Sequence, residues 1–162
     1  MPYVHYSLIT TTFRYFISPN SKVLKSGYRH NKVLCFITLQ INKECFHDIL
    51  NAKQDIEHRY IYPSNVTRYV YFKHDGKEYK RQEDIPDDDK DIEVIPIKYD
   101  ALYLINGRRK DAPRLMVEVK NAEYVIFTDE DGNDETFEEN GQEYLVSQVW
   151  YHLGKILSTE NI

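Results

Sequence analysis

The apolar positions of this chain change period twice within a short stretch. An apolar-rich run from Val33 to Ile41 predicts a buried strand. Cys45, Phe46, Ile49 and Leu50 then recur at the spacing of one helix side, and Asn42 stands at a capping position, which predicts a short amphipathic helix over residues 43–51. Alternation takes over in Asp55-Ile56-Glu57-His58-Arg59. On an extended chain this places Asp55, Glu57 and Arg59 on one face, and a charged strand face is a candidate site.

Downstream, Val66–Phe72 is β-rich, and Asp75-Gly76 supplies a turn that folds it back on Glu78-Tyr79-Lys80 as a hairpin. Residues 82–91 carry Pro86 and five aspartates and read as an exposed loop before the strand Ile92–Ile97. A short strand, Ala101–Ile105, runs into Asn106-Gly107-Arg108-Arg109-Lys110-Asp111-Ala112-Pro113-Arg114. Turn residues stand at both ends of that segment with four cations between, so a projecting basic loop is expected. Leu115–Val119 and Tyr124–Phe127 form one long or bulged strand, and Asp129–Asn133 turns into Glu135–Phe137. The segment from Val146 to Leu157 fits a helical stripe and a strand equally well.

The strand, the helix ending in Ile49-Leu50 and the charged strand together resemble the opening of an ASCH domain, the activating-signal-cointegrator homology module of the PUA-like superfamily. The local signature of that family ends in Gly-x-Lys-Thr-Ile-Glu-x-Arg. Here Ala52, Gln54, Asp55, Ile56, Glu57 and Arg59 stand at the matching places, so the Ile-Glu-x-Arg end is kept while the glycine, lysine and threonine are replaced. Arg114–Val119 with Glu123–Phe127, and Trp150–Leu157, are similar to later strands of the family, and the resemblance spans residues 33–157. It implies an α+β, mainly β fold: a small, partly open PUA-like β-barrel with one or two short helices, in which Trp150–Leu157 is a strand. The domain is expected over residues 33–162, with residues 1–32 as an N-terminal appendage of uncertain status.

Composition changes this picture little. At 162 residues, 41% hydrophobic and 29% charged, with 14 Tyr and 7 Phe, the chain reads as one folded domain, and its aromatic content favours strands. The net charge of −5 speaks against wholesale phosphate binding, but its distribution matters more. No acid precedes Glu44, and the acids concentrate in residues 83–93 and 129–143, where they read as solvated loops. Cys35 and Cys45 lack metal spacing and suit reduced, buried thiols, and no run approaches the length of a membrane span. A cytoplasmic protein without membrane contact is expected.

Glu57 and Arg59 are the first candidate site. A guanidinium there would grip a phosphate or carboxylate in bidentate fashion, and the glutamate would accept from a base amino group, whereas the plain alternative is an ordinary ion pair on a sheet wall. The resemblance implies that this segment lines a cleft for RNA or a nucleotide. Some small members of the family are amidohydrolases of acetylated cytidine. Their chemistry relies on a lysine at the place of Gln54 and a threonine at that of Glu57, so the mechanism does not carry over residue by residue; Lys53 would substitute only if the strand began later.

Arg108, Arg109, Lys110 and Arg114 make the second candidate, a basic patch with Tyr103, Tyr69 and Tyr71 as stacking faces, or else a solubilising turn. Asp129, Asp131, Gly132 and Glu138 imitate part of a calcium loop, but Phe127 occupies the first ligand place, and neither a metal nor a cofactor is expected. Three readings follow: an RNA- or nucleotide-binding module, a small hydrolase with Glu57 as acid or base, and a protein-interaction domain using its aromatic surface.

Overall fold

The computed structural model describes residues 34–162 and, for the backbone alone, the strand β1 (Val4–Tyr6); the rest of the expected appendage lies outside the described residues. In chain order there follow β2 (Phe36–Gln40), α1 (Lys43–Leu50), β3 (Ile56–Tyr60), α2 (Val66–Tyr69), β4 (Val70–His74) and β5 (Lys77–Tyr79). Then come β6 (Ile92–Pro96), β7 (Ala101–Ile105), β8 (Arg114–Phe127), β9 (Thr136–Glu139), β10 (Gln142–Leu145) and β11 (Ser147–Glu160). The protein is thus α+β and mainly β; among the described residues there are two short α-helices, and the sheets are open rather than closed into a barrel. No described helix is long and apolar enough to cross a membrane.

Two compact units are built from discontinuous stretches. The first comprises the described residues 34–57, 98–121 and 152–162 and is called here the basic-turn unit. Within it, β2, β7 and the first part of β8 are successive neighbours in one sheet. β2 lies parallel to β7, with Phe36 opposite Ala101, and a parallel pair requires a crossover connection rather than a tight turn. β7 and β8 are antiparallel, with Tyr103 opposite Met116 and Ile105 opposite Arg114. Ala101, Leu102, Leu104, Leu115, Met116 and Val117 are all buried, which explains why β7 and β8 read as apolar runs rather than as alternation.

Helix α1 forms as its sequence predicts. The Asn42 side chain accepts from the Cys45 backbone N–H at 2.8 Å, satisfying one of the amides that the first helical turn leaves open, and Phe46 and Ile49 bury the apolar side. A Cβ at Gly154 would meet the carboxylate of Glu118, the far end of a flexible side chain that also accepts from the Lys155 backbone N–H at 3.3 Å.

The second unit comprises residues 58–97 and 122–151 with β1, and its described residues are strongly acidic. Seven Lys and Arg stand against eighteen Asp and Glu, a net of −11, whereas the described residues of the basic-turn unit carry nine against eight. β4 pairs with both β5 and β6, and the Asp75-Gly76 turn closes the β4–β5 hairpin. The β-rich reading of Val66–Phe72 changes at its start. Residues 66–69 make one helical turn that buries Val66 and Tyr69 before the chain extends at Val70, so local burial overrides β propensity there.

The segment that imitates a calcium loop is a turn. Asp129 Oδ1 accepts from the backbone N–H groups of Asp131 and Asn133, both at 2.9 Å, and these bonds, the Asn133 amide first, hold its carboxyl below the usual aspartate range. A second hairpin, β9–β10, turns at Asn140-Gly141, both in the left-handed region.

His74 is the buried polar centre of the β4–β6 face. Its Nδ1 meets the Asp91 carbonyl at 3.2 Å and its Nε2 the Asp88 carboxylate at 3.0 Å. Both partners are acceptors, so both bonds form only when the two ring nitrogens carry protons. The Lys90 backbone N–H, and after it His74, hold the Asp88 carboxyl below its ordinary value.

Two outcomes follow. Asn42→Ala should destabilise the protein by about 1 kcal/mol, read from the denaturation midpoint. Because Asp88 titrates lower in the folded chain than in the unfolded one, its contribution is complete at neutral pH and is lost as pH falls from about 4 through the folded value. Asp88→Asn should therefore lower the melting temperature at about pH 6, and the difference from the unmodified protein should shrink towards about pH 2.

Candidate functional site

The strand that carries the family-like signature begins at Ile56, so Lys53 and Gln54 lie before it, in the chain that leaves α1. Lys53 sits in a turn closed by the Asp48 carbonyl, which accepts from the backbone N–H of Lys53 at 2.8 Å and of Gln54 at 3.1 Å. Its side chain is exposed. Asp55 is also exposed and outside the strand, while its carbonyl accepts from the Leu153 backbone N–H at 2.8 Å.

Alternation along β3 is real, and its sense is inward. Glu57 is 5% exposed and Arg59 half-buried, whereas His58 and Tyr60 turn to solvent. The charged face is therefore the face packed against the protein. A buried carboxylate needs hydrogen bonds in place of water, and Gln54 supplies one: its Nε2 donates to Glu57 Oε2 at 3.3 Å and to the Ile56 carbonyl at 2.8 Å. Gln54, which cannot act as a base, here holds the glutamate in place.

The basic segment joins β7 to β8 as an exposed turn. Asn106 donates from its backbone to the Pro113 carbonyl at 3.0 Å, Ala112 to that of Arg109 at 3.1 Å, and Gly107 occupies a left-handed conformation that a side chain would strain. Arg108, Arg109 and Lys110 are exposed; Arg109 pairs with Asp111 at 3.6 Å, both largely in solvent, and such a pair holds its partners weakly. Arg114 is different. It is half-buried at the start of β8, donates from Nη2 to the Lys110 carbonyl at 2.9 Å, and lies 3.7 Å from Glu160.

Glu160 also accepts from the Tyr103 hydroxyl at 2.9 Å, so Tyr103, Arg114 and Lys110 are brought together at one end of the β7–β8 pair. Desolvation, and then the Glu160 carboxylate, push the Tyr103 phenol up, which keeps its proton as the donor of that bond. The Tyr103 ring meets Phe36 edge-on at 6.1 Å. The other two expected stacking residues, Tyr69 and Tyr71, belong to the acidic unit; Tyr69 is buried and Tyr71 half-buried.

Sequence reasoning missed a cleft in the acidic unit, of about 280 Å³. The buried Val66, Val70 and Phe72 line it together with Tyr62, Phe137, Tyr144, Glu83 and Glu143. The rings form a continuous series. Tyr60 stacks on Phe127 at 6.0 Å and on Tyr62 at 6.1 Å, Tyr62 meets Phe137 edge-on at 5.9 Å, and Phe137 stacks on Tyr144 at 5.7 Å. Tyr144 donates to Glu83 Oε1 at 3.2 Å. The abundance of tyrosine was the one available signal, because these residues come from four separate segments.

Gln54→Ala should cost about 1–2 kcal/mol in a denaturant titration, since it takes away a donor from the buried Glu57 carboxylate and another from the Ile56 carbonyl. A change within about 0.3 kcal/mol would show that these bonds do not hold Glu57. Comparison with family models, with curated proteins and with solved structures finds no match to this chain.

Proposed function

We infer that the chain is a non-catalytic RNA- or nucleotide-binding module of the ASCH, PUA-like kind, which engages phosphates through Arg108, Arg109, Lys110 and Arg114. The observation that carries this reading is the presentation of three successive exposed cations on a turn whose ends are fixed by backbone hydrogen bonds. Phosphate oxygens reward such a display, because each cation they pair with releases condensed counterions. Arg114, tied to the Lys110 carbonyl, has less freedom to lose on binding than a solvated arginine. Tyr103 offers an aromatic ring for a splayed base at the same end of the strand pair.

A hydrolase with Glu57 as acid or base is the less favoured reading, because a general acid or base must reach its substrate and Glu57 is 5% exposed and bonded to Gln54. Arg59, on the same strand face and half-buried, would position the chain rather than lead the encounter.

Fluorescence anisotropy with short single-stranded RNA across a salt series tests the proposal. Affinity should fall with salt, and Arg108→Ala/Arg109→Ala should weaken binding for all sequences while reducing the salt slope by about 0.7 per cation removed. Equal affinity and equal slope in the two proteins would overturn it.

A further inference from the structure

We propose that the cleft of the acidic unit binds a small organic cation with an apolar body, of the arylalkylammonium class. This site is separate from the nucleic-acid reading, which rests on the other unit. The chemistry of its walls sets both halves of the ligand. Val66, Val70, Phe72, Val94 and Ile126 make much of the lining apolar, so the part of the ligand against them must be hydrocarbon.

The rim asks for the opposite. Tyr62, Phe137 and Tyr144 line the cleft, and aromatic rings attract a cation within about 6 Å, while the exposed carboxylates of Glu83 and Glu143 belong to the same lining. Glu83 is held by the Tyr144 hydroxyl at 3.2 Å, so one ring and one carboxylate form a single positioned unit before any ligand arrives. Tyr62 is 46% exposed, with its ring stacked on Tyr60.

The sign of the ligand is also set by what surrounds the opening. With seven cations against eighteen carboxylates among its described residues, this unit repels an entering anion and concentrates cations. Arg81, next to the lining residue Gln82, directs its Nη1 to the Pro63 carbonyl at 3.3 Å. A cavity of about 280 Å³ suits a compact molecule or a single side chain rather than a length of peptide.

Amide chemical-shift titration of the whole chain with two near-isosteric ions, phenethylammonium and 3-phenylpropionate, tests the proposal. Phenethylammonium should give saturable shifts confined to residues around 61–72, 82–94, 124–126 and 136–147, and 3-phenylpropionate should bind at least about tenfold more weakly. Glu83→Gln/Glu143→Gln, which alters two exposed side chains, should weaken phenethylammonium by about tenfold while leaving shifts elsewhere unchanged. Equal binding of the two ions, full affinity in the double variant, or no saturable shift at about 10 mM ligand would each overturn the proposal. The comparison of the two ions on the unmodified protein remains decisive even if the variant folds poorly.

Discussion

Backbone pairing along β8 is the constraint on which both units depend. Over Arg114–Glu118 it registers against β7, and through β7 it fixes the parallel strand β2. Over Val125–Phe127 it receives β1, and the Phe127 backbone N–H donates to the Val146 carbonyl at 3.0 Å. Pairing that survives fourteen residues requires an extended, apolar-rich chain without a proline, and Leu115, Met116, Val117, Val119 and Val125 supply the buried side chains that make the register unique. A slip of one residue would turn Met116 and Glu118 to the faces now held by Leu115 and Val117, and the carboxylate would lose its place over Gly154.

Charge is divided between the units, and that division shapes what each can bind. In the basic-turn unit, nine cations against eight carboxylates leave little net field, so an anion would be drawn by local geometry: the exposed turn, and Arg114 and Tyr103 gathered by Glu160. In the acidic unit the field itself is strong, and aromatic faces stand within it. The same residue type therefore serves different ends. Tyr103 donates to Glu160 beside Arg114, whereas Tyr144 donates to Glu83 in the acidic unit.

The signature strand shows how a correct pattern can carry the wrong polarity. Alternation in residues 55–59 is a local property of an extended chain, and β3 has it. Which of its two faces meets solvent is decided by the elements on either side, and here the charged face is turned inward. The strand also starts at Ile56 because the residues after α1 close a turn on the Asp48 carbonyl, with Ala52 at a φ of 56°, a left-handed step that propensity alone does not foresee.

The local elements were legible in the residues themselves: the cap at Asn42, the Asp75-Gly76 hairpin, the β7 strand, the basic turn and the long β8 strand, each set by short-range sterics and hydrogen bonding within a few residues. The last strand was local in kind but ambiguous in period, since Val146, Val149, Trp150 and Leu153 satisfy two repeats at once, and pairing in the sheet resolves it as β11. The burial of Glu57, the meeting of Tyr103 with Arg114 at Glu160, and the aromatic cleft came from the folded arrangement. Each of these joins residues far apart in the chain, and long-range proximity depends on strand order and register, which no local pattern of apolar and polar residues encodes.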